Sequence, residues 1–442
     1  MKELAKKLIN VEHELNKEIK VYFLGSLIAD HLRYVFLNQA KKNKESISGE
    51  LLGAIKLLFK FLAKSSKPAN INGGIKVIFG RSGQKHHHHR LVDYLEDEYK
   101  SESMLFDKGY KNAIALLPLS KRIKIFFNVL KKLPFAYKSA KKKLTNYGLI
   151  PYQSKLITNL TGQLIKFEAA MAYLQSIAGL KLVVVDYDRS TFSALVLAAN
   201  ALNIKTVSFQ HGAINPPYGY VPLIANEIWV WGNTWKKSLV AMNVPASNIQ
   251  IVGSTIAEHF PNHKSARIKT IGIGPNPIGF YHNFALWSQL TVELTDLGYE
   301  VIVKLHPSMK VNDEVLKIFG SKAKIVNAAE MSNPDFLSRI DLLVISNSGL
   351  GYEAVLANVP VAVKRQAGSI GNDDMMITEG SFPELISGSK LKQQILSIQE
   401  NYQEVLASET DYVSKNIYQQ TGNEARLATI KLINNYIDGV AK

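Results

Sequence analysis

The sequence predicts an α/β protein made of two tandem, doubly wound, Rossmann-like domains with helical N-terminal and inserted segments. Three observations predict it. At 442 residues the chain exceeds one ordinary core and suits two units of roughly 200 residues each. From Leu180 onward, short apolar runs alternate with helix-length segments, as in a parallel sheet wrapped by helices. The alternation stops at a polar, aperiodic seam, His259-Phe260-Pro261-Asn262-His263-Lys264-Ser265, and then restarts.

Residues 1–70 read as a helical region closed by the Ser65-Ser66-Lys67-Pro68 punctuation. A first domain over 71–262 opens with a strand at Ile75–Phe79 and carries a lysine-rich helical insert at about 112–178. Strands follow at Leu180–Val185, Thr206–Phe209, Glu227–Trp231 and Ile249–Val252, with helices at Thr191–Leu202 and Thr234–Met242. The second domain, 263–420, places strands at Thr270–Ile273, Glu300–Val303, Lys324–Val326, Leu342–Ile345 and Val359–Val363. Its helices are Phe284–Leu297, Asn312–Phe319, Gly351–Ala357 and Lys390–Glu400, and a closing segment, 421–442, holds a last helix at Asn423–Ile437.

Hydrophobic content of 46% and charged content of 20% are those of a globular protein. The absence of cysteine excludes disulfides and thiolate metal sites. The first 20 residues are charged throughout, unlike a secretory signal, and no run of 18 apolar residues spans a bilayer, so a cytoplasmic protein is expected. The net charge of +16 is concentrated early, in Lys41-Lys42-Asn43-Lys44, Lys121-Arg122-Ile123-Lys124, Lys131-Lys132 and Lys141-Lys142-Lys143. Solvated surface, nucleic-acid contact and attraction to an anionic lipid or polymer all answer to such clusters. Aromatic residues do not interleave the lysines as a base-stacking platform requires, whereas amphipathic stretches such as Leu51–Leu62 do. The expected partner is therefore an anionic acceptor or the inner face of a membrane, touched peripherally, and not nucleic acid; a plain basic surface stands beside that reading.

Ligands of open parallel sheets bind at the carboxyl ends of the strands. Four polar segments sit there: Asp186-Tyr187-Asp188-Arg189-Ser190, Gln210-His211-Gly212-Ala213, Lys304-Leu305-His306-Pro307-Ser308 and Ser346-Asn347-Ser348-Gly349-Leu350-Gly351-Tyr352-Glu353. The last delivers small hydroxyl and glycine residues to a helix N-terminus, where unpaired N–H groups and partial positive charge suit a phosphate. Glu353, in the first turn, is placed to face a ribose. Pro307 fixes the turn that presents His306. The Gly272-Ile273-Gly274-Pro275-Asn276-Pro277 turn lets backbone approach a ligand through Gly274 and Asn276. Arg81, Lys85 and Arg90, which flank His86-His87-His88-His89 after the first strand, are candidate contacts to an acidic acceptor, with Gln210 beside them. Four consecutive imidazoles do not converge on one point, and an Asp-x-Asp metal reading of Asp186 and Asp188 leaves the second domain's motifs idle, so no metal is expected.

In combination, the Gln210-His211-Gly212 turn, the Trp231-Gly232 strand end, Ile251-Val252-Gly253-Ser254, His306-Pro307 and Ser346–Glu353 resemble the two-domain glycosyltransferases of GT-B fold. The similarity covers about 180–365 and is nearest to the bacterial surface-polysaccharide branch: capsule transferases, sialyl and Kdo transferases using CMP-sugars, and teichoic-acid glycerophosphotransferases using CDP-glycerol. The resemblance implies donor-phosphate contacts by His306, Ser346 and Ser348, with Glu353 near the ribose. The chain departs from it at Asp186-Tyr187-Asp188-Arg189, where the sialyltransferases carry an acidic pair and glycine, and at Gln210-His211-Gly212-Ala213, where the glycerophosphotransferases show Trp-His-Gly-Thr.

Moving a sugar from a nucleotide to a hydroxyl needs a base for the acceptor, stabilisation of the departing phosphate and alignment. Asp186, Asp188 and His211 are the candidate bases; the alternatives are that Asp186 caps the helix near Thr191 and that His211 bonds a neighbouring carbonyl. The expected function is transfer of a sugar from a nucleotide-activated donor, CMP-linked by resemblance, to a hydroxyl of a bacterial surface glycan or lipid-linked acceptor. The nucleotide-sugar is a substrate, and no cofactor is expected. A non-hydrolysing UDP-N-acetylglucosamine 2-epimerase, a CDP-glycerol glycerophosphotransferase and a non-catalytic nucleotide-sugar binder are the competing functions.

Overall fold

A computed structural model describes residues 7, 9–12, 14–15, 47–63, 74–80, 93–100, 102–106, 111–149, 155–189, 192–214, 220–255, 267–275, 284–306, 309, 311–327, 330–346, 348–365, 375–380 and 382–439. The first domain is built on six parallel strands: β1 (Val77–Gly80), β2 (Ser103–Phe106), β3 (Leu182–Val185), β4 (Lys205–Phe209), β5 (Glu227–Val230) and β6 (Ile249–Ile251). Their order is β2-β1-β3-β4-β5-β6, which puts a topological switch between β1 and β3. Its helices are α1 (Ile47–Leu62), α2 (Asp93–Glu98), α3 (Lys111–Leu116), α4 (Leu119–Asn146), α5 (Leu156–Leu174), α6 (Ser193–Ala201) and α7 (Asn233–Ala241).

The second domain holds five parallel strands, β7 (Thr270–Gly274), β8 (Glu300–Lys304), β9 (Lys324–Val326), β10 (Leu342–Ile345) and β11 (Val361–Val363), ordered β11-β10-β7-β8-β9 with the switch between β7 and β10. Around it run α8 (Phe284–Asp296), α9 (Asp313–Phe319), α10 (Asn333–Leu337), α11 (Gly349–Leu356), α12 (Leu391–Glu400) and α13 (Tyr402–Tyr412), followed by α14 (Gly422–Ile437). This is the expected architecture of two doubly wound α/β units.

Strand periodicity sorts the cores. In the first sheet Ile78, Val183 and Val185 face α5 and α6, while Val77, Leu182, Val184 and Trp229 face the opposite side. In the second, Ile271, Ile273, Val301 and Val303 pack on Trp287 and Leu290 of α8, and Leu343 and Ile345 pack on Phe336 and Tyr352. The lysine-rich insert forms an additional layer. α6 packs on α5, α5 on both α4 and α1, and the carboxylate of Glu50 in α1 accepts from Lys155 N–H at 2.9 Å and Ile157 N–H at 3.0 Å, satisfying the start of α5.

The two domains share one apolar cluster. Ile228, Val230, Trp231 and Trp235 of the first join Tyr352, Val355 and Phe382 of the second, with the Trp235 and Tyr352 rings 5.9 Å apart. The chain then returns. Gln419 N–H donates to Trp231 carbonyl at 3.0 Å, Ser254 N–H to Gln420 carbonyl at 2.8 Å, and Gly422 N–H to Ser254 carbonyl at 3.1 Å. Gly232 and Gly253 exist for this crossing: a Cβ on either would lie 2.5 Å from Ile417 carbonyl oxygen or 2.3 Å from Gln420 carbonyl oxygen. α14 ends on the first sheet, with Ile433 and Ile437 buried against its outer face and Tyr99 hydroxyl donating to Asn434 Oδ1 at 2.7 Å.

Sequence reading missed α2, β2, α10 and α13. β2 is a four-residue edge strand with little β-branching, Ser-Met-Leu-Phe, and α10 spans five residues. α13 follows α12 after Asn401 alone, so no punctuation separates it. The seam at His259–Ser265 lies outside the described residues.

Candidate functional site

In the second domain β10 ends in a buried apolar run, Leu342–Ile345, and hands the chain to α11 through Ser346 and Ser348. Ser348 is the N-cap, its hydroxyl accepting from Leu350 N–H at 3.3 Å. Ser346 is 1% exposed, and its hydroxyl has no hydrogen-bond partner among the described residues. A buried, unsatisfied hydroxyl beside a helix N-terminus is a donor waiting for an acceptor. Gly351 brings helix to strand: a Cβ there would lie 2.4 Å from Ile345 Cδ1. Gly274 serves the same packing. Its missing Cβ leaves room for Leu350 Cδ2 and Ile345 Cγ2, each 3.2 Å from where that atom would lie.

Glu353 is buried one turn into α11, and Asn333 Nδ2 donates to its Oε2 at 2.7 Å. Lys364 follows β11 and is next to the turn after β10, its N–H donating to Ile345 carbonyl at 2.7 Å. Its ammonium donates to Leu385 carbonyl at 3.1 Å, and burial pushes its pKa down against the opposing pull of Glu293 and Glu384. His306 is exposed just past β8, two strand spacings, about 10 Å, from β10. The buried Lys304 before it donates to Met331 carbonyl.

In the first domain one of the expected bases, Asp188, takes a different role. Asp188 is buried, and its Oδ2 accepts from Ile224 N–H at 2.7 Å and Ala225 N–H at 3.0 Å, with Arg189 Nε 4.0 Å from Oδ1. A carboxylate committed to two buried amides holds the loop before β5 and is no base for an acceptor. Asp186 is likewise buried at the end of β3, and the N-cap position of α6 is Phe192. Arg189 is paired with Glu12 at 2.5 Å, both fully inside. Gln210, expected at the acceptor, is a latch instead: Nε2 donates to Gly212 carbonyl at 2.9 Å and Oε1 accepts from Trp231 N–H at 2.9 Å.

His211 is the half-exposed group of this edge. Tyr187 packs edge-on against it at 4.5 Å and Tyr220 lies 5.2 Å away, tilted by 32°. The Tyr220 hydroxyl accepts from the N–H groups of His211 and Gly212, each at 3.1 Å, which fills both lone pairs. The hydroxyl also lies 3.1 Å from His211 Nδ1, and it donates to Gly212 carbonyl at 3.3 Å. Burial pushes the Tyr220 pKa far up, so the phenol stays protonated. Tyr220 thus orients the His211 imidazole through Nδ1.

The two edges meet. A Cβ on Gly349, the first residue of α11, would lie 4.0 Å from Ala213 nitrogen, directly after the His211 turn. Asp186, His211, Gly274, Ser346, Ser348, Gly349 and Glu353 thus lie along the facing strand ends. Asn276, Pro307 and Asn347, and the acceptor candidates Arg81, Lys85 and Arg90 with His86–His89, lie outside the described residues. Sequence reasoning missed Tyr220, Lys364 and Asn333, and it named Tyr187 only as a spacer between aspartates. Among the described residues no cluster of three or more His, Asp or Glu side chains could hold a metal.

No protein-family model matches the chain, and no curated protein matches it. Solved structures do. A putative UDP-N-acetylglucosamine 2-epimerase from Listeria monocytogenes superposes with a TM-score of 0.52 at 14% identity, covering 84% of this chain and 98% of that one. The UDP complex of MnaA from S. aureus superposes with a TM-score of 0.50 at 14% identity, over 83% of this chain and 97% of that one. At this identity the likeness is one of fold: two Rossmann-like domains of GT-B type.

Proposed function

We propose that this protein is a nucleotide-sugar enzyme in which the N-terminus of α11 grips the phosphate bonded to the sugar. The carrying observation is the buried, unsatisfied Ser346 hydroxyl at that N-terminus, set against the His211 turn of the other domain. Breaking the bond between anomeric carbon and phosphate oxygen leaves an anionic nucleotide. N–H groups of α11, the Ser346 hydroxyl and the His211 imidazole are groups of the kind that stabilise it.

Two outcomes share that cleavage. The fold likeness to UDP-N-acetylglucosamine 2-epimerases, over most of both chains, supports isomerisation of a UDP-linked N-acetylhexosamine, and supports UDP over CMP as the nucleotide. The basic outer helices support the second reading, transfer to a hydroxyl on a membrane-borne glycan. Incubation with UDP-N-acetylglucosamine alone separates them: appearance of the N-acetylmannosamine isomer is expected. Release of UDP only when an acceptor is added replaces isomerisation by transfer. Under either outcome His306→Ala weakens UDP-dependent thermal stabilisation, about tenfold in affinity for one lost charge-assisted or neutral phosphate contact. Absence of stabilisation by UDP, CMP, CDP and GDP alike refutes the proposal.

A further inference from the structure

We propose that the outer faces of α1 and α4 form a docking surface for an anionic lipid bilayer, an inference independent of the nucleotide-sugar reading. α4 carries two apolar stripes. Ile125, Val129, Leu133 and Ala140 are buried against α5. Leu119, Ile123, Phe127 and Leu130, spaced by four, four and three residues, share a second face that is open to solvent. Leu51, Leu52, Ile55 and Phe59 do the same on α1. Phe59 and Phe127 are 61% and 63% exposed, and the half-buried Phe126 joins them, with ring centroids 6.1 Å from Phe59 and 5.5 Å from Phe127. The two stripes are therefore one patch. Single exposed apolar residues are ordinary; a continuous patch with three phenylalanines marks a contact surface.

Charge identifies the occupant. Lys124, Lys131 and Lys138 recur every seven residues, forming one exposed row beside the α4 stripe, and Lys56 and Lys60 are exposed on α1. α4 contains no acidic residue. The single carboxylate of α1, Glu50, is turned inward to cap α5. A second copy of the chain would set lysine rows against each other. An anionic bilayer takes the apolar stripe at its acyl boundary while the lysine stems reach phosphates. No described helix is long and apolar enough to cross a membrane, so this face lies on the surface.

The test is co-sedimentation of the full chain with vesicles of equal parts phosphatidylglycerol and phosphatidylcholine, against pure phosphatidylcholine. The wild type should sediment with the anionic vesicles and at least tenfold more weakly with the neutral ones, and added salt should release it. Phe59→Ser with Phe127→Ser and Leu130→Ser, and separately Lys124→Gln with Lys131→Gln and Lys138→Gln, should each lower vesicle affinity at least tenfold with the melting temperature unchanged. Equal binding by both variants overturns the proposal. So does displacement by millimolar inorganic phosphate, which would reveal a free-anion site. A wild-type dimer that the serine variant converts to monomer, without vesicle binding, overturns it in favour of an interface between copies. Binding to single-stranded RNA lost only in the lysine variant overturns it in favour of nucleic acid.

Discussion

Tyr220 orients His211. Its hydroxyl accepts from the N–H groups of His211 and Gly212 and lies 3.1 Å from His211 Nδ1. Tyr220→Phe should therefore release the imidazole from that contact. Turnover is expected to fall, with the Michaelis constant little changed and the pH–rate profile altered. An unchanged pH profile would reduce Tyr220 to a packing residue. Asp188→Ala should behave differently, costing about 3 kcal/mol in urea denaturation because two buried amides lose their acceptor. The sequence showed both residues and could not assign them. The partners of Asp188 are 36 and 37 positions downstream, and Tyr220 reaches His211 across nine positions, so neither pairing has a local signature. What was legible was position: polar residues placed directly after buried strands end at the carboxyl edge, whatever they then bond.

At the level of elements, the runs Leu182–Val185 and Leu342–Ile345 were readable because continuous burial on both faces needs continuous apolar residues. The Trp231-Gly232 and Val252-Gly253-Ser254 strand ends were readable as motifs but not as structure. Their use is to seat the returning chain, whose carbonyls approach from residues 417 and 420. Gly253→Ala tests that seat. The residue has φ of +80° and a Cβ would meet Gln420 carbonyl oxygen at 2.3 Å. Left-handed strain and overpacking together predict a loss of about 3 kcal/mol, read as a lower urea midpoint. Gly212, where a Cβ would meet nothing within 4 Å, should tolerate alanine far better and serves as the control.

The whole molecule carries an alkaline liability set by its buried phenols. Burial pushes Tyr94 and Tyr412 up to about 12 and raises Tyr220 and Tyr352 well above the ordinary value. In the unfolded chain these groups ionise near the ordinary value of about 10, while the fold keeps them protonated. Their contribution to stability is thus complete below that pH and declines as pH rises through the folded values. The melting temperature should be flat in this respect up to about pH 10 and fall steeply above it, with exposed tyrosines ionising first and a second rise in tyrosinate absorbance accompanying unfolding. Complete ionisation of all the tyrosines while the fold persists would contradict the burial. The basic balance of the chain, by contrast, was visible in composition; its arrangement into a row beside an apolar stripe became visible only when α4 was found to have two apolar faces. The return of α14 to the first sheet has one more consequence, for biosynthesis. Emerging from the ribosome in order, the leading half covers this face of Val77, Leu182, Val184 and Trp229 only in part, with Leu95 and Tyr99, until Ile433 and Ile437 have been translated. A nascent chain stalled within the second domain should recruit chaperones and be more open to proteases at the first one, because part of the cover of the first-made core follows the whole second sheet.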